Sequence, residues 1–176
     1  MAQQSANPAA SAPKRRPATD EEAKTLASTL RMRILRVCRG QGHTNKEIAD
    51  ALRRDPATTL HHVRRLVDTG FLAAQPIRRG RKGSREIPYL ATGKSWTLDC
   101  PAQNRVLLDA FLEEAALVPA ETMHTTRLGL RLPPEQFEEF EQRLQQLFDE
   151  FAERPHDPAG EPRSLFFAIH PDPNQR

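Results

Sequence analysis

At 176 residues the chain has room for one ordinary domain or a small domain with an accessory lobe, and its net charge of +3 is the residue of a strong internal split. Residues 14–94 hold 19 Lys/Arg against 8 Asp/Glu, a balance of +11, whereas residues 95–176 hold 7 against 15, a balance of −8. Two lone cysteines, Cys38 and Cys100, exclude a disulfide framework and a thiolate metal cluster, and no apolar run approaches the roughly 20 residues that cross a bilayer.

Without an apolar signal core at its start, the chain is expected to be soluble and cytoplasmic, with no membrane partner. Residues 1–18 are rich in Ala, Ser, Gln and Pro and carry a Lys14-Arg15-Arg16 cluster, the composition of a disordered arm. The spacing then predicts a single helix over residues 19–39, opened by the T-x-x-E pattern of Thr19 and Glu22. Its buried stripe is Leu26, Leu30, Ile34 and Val37, and Gly40 and Gly42 end it.

Thr44 and Glu47 repeat the T-x-x-E pattern and open a second helix whose apolar side is Ile48, Ala49 and Leu52. After a turn at Arg53-Arg54, Asp55 caps a third helix with Pro56 at its first position, where a missing N–H is harmless. On that helix Thr59, Val63 and Leu66 face inward with His62 beside them, while Ala57, Thr58, His61, Arg64 and Arg65 share the opposite face. Gly70 closes it, and Phe71 and Leu72 return the chain to the core.

Residues 73–88 read as strand, Gly/Arg turn and strand, a basic hairpin carrying Arg78, Arg79, Arg81, Lys82 and Arg85. Two short helices followed by such a hairpin form a winged helix-turn-helix. Small and polar side chains on the third helix suit entry to a major groove, where Thr58 and His61 can meet base edges and Arg64 or Arg65 a guanine or phosphate, while the hairpin arginines meet flanking phosphates. The expected partner is double-stranded DNA. A protein-docking module is the competing reading, but that use calls for apolar anchors where this face carries positive charge.

Pro101 opens a further helix with Leu107, Leu108, Phe111 and Leu112, more large apolar side chains than a lone surface helix needs, so they are assigned to dimerisation. The rest reads as strand, helix, strand. TRLGLRL alternates Leu128, Leu130 and Leu132; residues 135–154 place Phe137, Phe140, Leu144, Leu147, Phe148 and Phe151 on one stripe; SLFFAIH is a compact apolar run. The fold class is therefore α+β, with an arm (1–18), a winged helix-turn-helix domain (19–98), a linking dimerisation helix (99–118), a C-terminal lobe (119–171) and a tail (172–176).

LASTLRMRILRVC, TNKEIADAL and DPATTLHHVRRLVDTGFL resemble the opening and paired helices of ArsR-type winged-helix transcription regulators, and YLATGKSW resembles the segment after the wing in a subgroup with an extra C-terminal lobe. The resemblance spans roughly residues 20–98. It implies a homodimer that places two copies of the third helix on a partly palindromic operator, acting as a repressor, with Ala57, Thr58, His61 and Arg64 in the reading role. A small-molecule effector held by the C-terminal lobe extends that reading. Metal-sensing members of the family carry a Cys-x-Cys pair in the helix before the reading helix, or His and acidic ligands in the last helix; the corresponding NKEIADAL holds no cysteine, which speaks against thiolate metal sensing.

No catalytic residue is assigned: there is no Gly-x-Ser-x-Gly elbow, phosphate-cradling glycine loop or His-Glu-x-x-His helix, and no cofactor is expected. His61 and His62 are neighbours that point about 100° apart on a helix and cannot share one ion. His124, His156 and His170 lie among acidic residues without ligand spacing, so no metal site is assigned.

Overall fold

Local hydrogen bonding of polar side chains sets the helix starts. In the computed structural model, which describes residues 15–80, 83–101, 103–155, 157 and 159–173, Thr19 caps α1 (Asp20–Leu26) in a complete capping box with Glu22. The expected single opening helix is interrupted. Ser28 takes an extended conformation and its hydroxyl accepts from the Arg31 N–H, ending α1 and starting α2 (Thr29–Val37). Leu26 and Ile34 remain fully buried on either side of the break, so the apolar spacing survives a change of axis that it cannot report.

Residues 15–18, placed at the end of the expected arm, are described, and two of them are in a strand. Arg16 and Pro17 form β1 (Arg16–Pro17), paired in parallel with β7 (Leu98–Asp99), because the Arg16 guanidinium is held by both oxygens of the Glu22 carboxylate. Lys14 and the residues before it lie outside the described residues.

Thr44 and Glu47 close a second capping box on α3 (Asn45–Leu52), and Asp55 caps α4 (Pro56–Asp68). Arg53 between them adopts φ 51°, a left-handed conformation uncommon for a side chain other than glycine, which turns α3 sharply into α4. Gly70, at φ 75°, closes α4 and delivers Phe71 to the core. The core is one apolar cluster in which Leu26, Ile34, Cys38, Ile48, Val63 and Phe71 are among the residues withdrawn from solvent.

The wing stands on an antiparallel three-stranded sheet in the order β2 (His43–Thr44), β6 (Pro88–Ala91), β3 (Leu72–Ala74). Leu72 pairs with Ala91 and His43 with Tyr89. Beyond it β4 (Arg78–Arg79) and β5 (Arg85–Glu86) make a separate short ladder. Arg81 and Lys82 at the tip lie outside the described residues.

A 3₁₀ turn (Lys94–Thr97) leads through β7 to α5 (Gln103–Ala115), which packs on α2. Ala110 is buried there, with Val106 and Leu107 against the core. Arg33 of α2 reaches Glu113 at 3.3 Å and Glu114 at 3.9 Å, and Arg36 reaches Glu114 at 3.0 Å, so α5 is clasped by charge as well as packing.

The chain divides between Pro119 and Ala120 into two compact units. In the second, α6 (Pro134–Ala152) has the expected apolar stripe, with Phe137 and Phe140 in ring contact at 6.2 Å and Phe148 against Phe167 at 6.0 Å. The two strands expected to flank it are not formed as regular strands among the described residues: the alternating residues 126–132 and the apolar run 164–170 make no ladder. Alternation marks a face, and a ladder needs a partner backbone as well. No helix among the described residues is long and apolar enough to cross a membrane.

Candidate nucleic-acid interface

Asp55 Oδ1 accepts from the backbone N–H groups of Ala57 and Thr58, both at 2.9 Å, and its carboxyl is held below the usual range chiefly by the Thr58 bond. The cap fixes the first turn of α4. Thr59, Val63 and Leu66 then face the core, and Ala57, Thr58, His61 and Arg64 are exposed together on the opposite side. Asn45 Nδ2 donates to the Pro56 carbonyl at 2.9 Å, tying the start of α3 to the first turn of α4.

Not every basic residue assigned to this face is equally available. Arg65 is half-buried and reaches Glu21 of α1 at 3.1 Å, which directs it along the scaffold. His62 meets Arg31 at 3.4 Å through Nδ1, and its ring is pushed below its ordinary pKa by burial and then by the Arg31 charge. His61 stays exposed, edge-on to His62 with ring centroids 5.6 Å apart.

The wing separates in the same way. Arg78 pairs with Glu47 of α3 and with Glu86 across the ladder, the latter at 3.4 Å, so it fastens the wing to the helices. Arg79 and Arg85 lie opposite each other in the β4–β5 register and are both exposed. Like charges directly opposite destabilise a bare hairpin, and an anion between them relieves that repulsion. With Ile77, Arg78 and Gly83 they line an open cleft of about 550 Å³. A Cβ on Gly80 would lie 2.0 Å from a Glu86 carboxylate oxygen, so a side chain there would displace that carboxylate.

Lys94 and Glu22 support α4 from behind, a role the sequence does not assign to either. Lys94 Nζ donates to the Thr69 carbonyl at 2.7 Å, caps the C-terminal end of α4, lies 5.0 Å from the Phe71 ring centre, and reaches Glu22 at 2.8 Å. The Glu22 side chain, 8% exposed, gathers Arg16, Lys94 and the Thr19 N–H, and these bonds hold its carboxyl far below the usual range, Arg16 most of all. The T-x-x-E pattern marks Glu22 as a cap, but nothing local marks Lys94 as its partner.

Of the residues assigned to dimerisation, Leu107, Leu108 and Phe111 are half-buried within this unit, and Leu112 is 53% exposed. Trp96, 50% exposed, has the Arg39 guanidinium 5.2 Å above its ring. Among the described residues no three His, Cys, Asp or Glu side chains converge on a metal-sized site; His156 lies outside them.

Residues 26–74 match the helix-turn-helix domain family, the span that contains α2, α3 and α4. The chain matches no curated protein. Among solved structures it is similar to a mutant form of ZitR of Lactococcus lactis, with 23% identity over 70% of this chain and 74% of that one and a TM-score of 0.34. It is also similar to the homodimeric winged helix-turn-helix domain of Mb0332 from Mycobacterium bovis, with 20% identity over 64% and 99% and a TM-score of 0.34. A third is MepR of S. aureus in complex with DNA, with 17% identity over 76% and 80% and a TM-score of 0.30.

Proposed function

We propose that the chain is a sequence-specific, double-stranded-DNA-binding transcription regulator of the ArsR type, acting as a homodimeric repressor on a partly palindromic operator. The observation that carries this reading is the pairing of two features on the helix-turn-helix and its wing. One is the capped helix α4 showing Ala57, Thr58, His61 and Arg64; the other is the facing pair Arg79 and Arg85, whose repulsion a phosphate relieves. Thr58, His61 and Arg64 read base edges, Arg79 and Arg85 hold phosphates, and Arg78 sets the wing angle.

The exposed apolar side of α5, centred on Leu112 with Leu108 and Phe111 beside it, supplies the contact to a second copy. Selection of bound fragments from random duplex DNA tests the whole reading, and Arg64→Ala tests its sharpest part. If Arg64 grips a guanine bidentately, the variant loses about 1–3 kcal/mol at particular operator positions and relaxes the preference there. Uniform weakening over all sequences reassigns Arg64 to phosphate, and failure of the unchanged protein to enrich any sequence removes the function.

A further inference from the structure

Arg31, in the first turn of α2, turns back across the break at Ser28 and works on both sides of it. Its Nε donates to the Thr25 carbonyl and its Nη2 to the Lys24 carbonyl at 2.9 Å, capping the last turn of α1, where helix carbonyls lack partners of their own. Its remaining nitrogen, Nη1, lies 3.4 Å from Nδ1 of His62 on α4. A guanidinium has only N–H groups to offer, so His62 Nδ1 is the acceptor and the ring is neutral, with its proton on Nε2. Held by two carbonyls, Arg31 is a fixed donor, and it ties α4 to the α1–α2 junction.

The surroundings of the ring are already positive. Arg31 faces it from α2; on its own helix His61 lies edge-on at 5.6 Å, and the Arg65 charge acts on Arg31 in turn. From α1, Glu21 gives its carboxylate to Arg65 at 3.1 Å. Neither α3 nor β3, which also pack on α4, brings a charge to the ring among the described residues. Burial first, then Arg31 and His61, hold the ring below its ordinary pKa of 6.5, so the neutral form persists to the acid side of that value.

We infer that His62 is a positioning residue for base reading: neutral, it accepts from Arg31 and holds α4 at the angle that presents Thr58, His61 and Arg64; on taking a proton it is driven off Arg31 and sequence discrimination falls. The inference rests on the proposed reading of DNA by α4. A proton on Nδ1 would aim N–H at N–H and set two cations 3.4 Å apart, and the carbonyls that hold Arg31 make His62 the group that moves. His61 is its neighbour and Arg64 lies two residues on, so a shift there displaces groups whose base-edge bonds tolerate little misalignment. Acid therefore acts oppositely on two kinds of binding: the added charge favours any duplex, and the lost tie weakens only the specific one.

The test measures, at constant salt, the affinity of the purified full chain for the duplex it selects from random DNA at pH 7.5 and for a scrambled duplex, from pH 7.5 down to pH 5. The ratio of the two affinities should fall by about threefold or more over that range, toward the limit of about tenfold per pH unit set by one proton expelled per reading helix, while affinity for the scrambled duplex holds or rises. In His62→Asn, whose Oδ1 stands where Nδ1 stands and which takes up no proton, the ratio should keep its pH 7.5 value throughout. In His62→Ala, which has no acceptor, it should start at the acid value and not change with pH.

A ratio that is flat in the unchanged protein overturns the inference, and so does one that rises with acid, which would make a charged histidine a base contact. An acid fall that survives in His62→Asn assigns the titrating group elsewhere and overturns it as well. Nitrogen NMR of the histidine rings gives a reading without DNA: His62 Nδ1 should resonate as an unprotonated acceptor at pH 7.5, and a proton found on it there overturns the inference. A protein with no sequence preference at pH 7.5 removes the proposed function and this inference together, whereas a preference indifferent to pH removes this inference alone.

Discussion

Glu22 joins parts of the winged-helix unit that are distant in sequence: the arm through Arg16, α1 through Thr19, and the far end of α4 through Lys94. Its folded-state carboxyl titrates below its unfolded counterpart, so the unfolded chain binds the proton more readily. The stabilisation is therefore complete above about pH 4.3, the unfolded glutamate value, and is lost as pH falls toward the folded value. Glu22→Gln should cost about 1.5–3 kcal/mol at pH 7, the range for hydrogen bonds to a charged group, and its difference from the unchanged protein should shrink at pH 3. Denaturant titrations at the two pH values check this, and an equal loss at both would assign the effect to packing. Cys38 makes a simpler case. Burial pushes its thiol up to about 12, so a thiol reagent at pH 8 should label the half-buried Cys100 while Cys38 reacts only on unfolding. Peptide mass mapping showing Cys38 modified first would mean that the core opens without global unfolding.

At the scale of elements, what is legible in the sequence is local. The Thr44 and Asp55 caps, the Pro56 start and the Gly70 exit all act within a turn of the helix they bound, so residue type and spacing suffice to place them. Asp55→Ala should accordingly destabilise the unit by about 1 kcal/mol, with Asp55→Asn costing much less because the amide oxygen can still accept from the first turn. Thermal melts of the two variants decide it, and equal losses would point to the charge at the helix end instead of the cap. The break at Ser28 is hidden because Leu26, Leu30, Ile34 and Val37 keep one helical spacing through it. The strands expected in the second unit fail for the opposite reason: the alternation in TRLGLRL and the apolar run of SLFFAIH are genuine, but pairing depends on a backbone that the segment does not contain. Within the interface the exposed face of α4 is readable from helical phase, whereas the diversion of Arg65 to Glu21 and of Arg78 to Glu47 depends on residues far away in the chain.

For the whole molecule the charge split becomes a statement about where a polyanion can approach. The balance of +11 in residues 14–94 coincides with α4 and the wing, and the −8 that follows contains the carboxylates of α6. Because neutralising phosphates releases condensed counterions, the slope of log affinity against log salt counts the cations that touch DNA. Arg79→Ala and Arg85→Ala should each lower that slope by about one unit and weaken all sequences alike. Arg78→Ala should behave differently, since a guanidinium already satisfied by Glu47 and Glu86 contributes through wing placement: affinity falls with a nearly unchanged slope. Replacing Glu138 and Glu141 of α6 with lysine adds four positive units to the acidic unit, and if that unit stands away from DNA the slope should not move. A slope that steepens by about two or more units in this last protein would put α6 within a Debye length of the phosphates, about 10 Å at 0.1 M salt, and would make the acidic unit part of the DNA-binding surface.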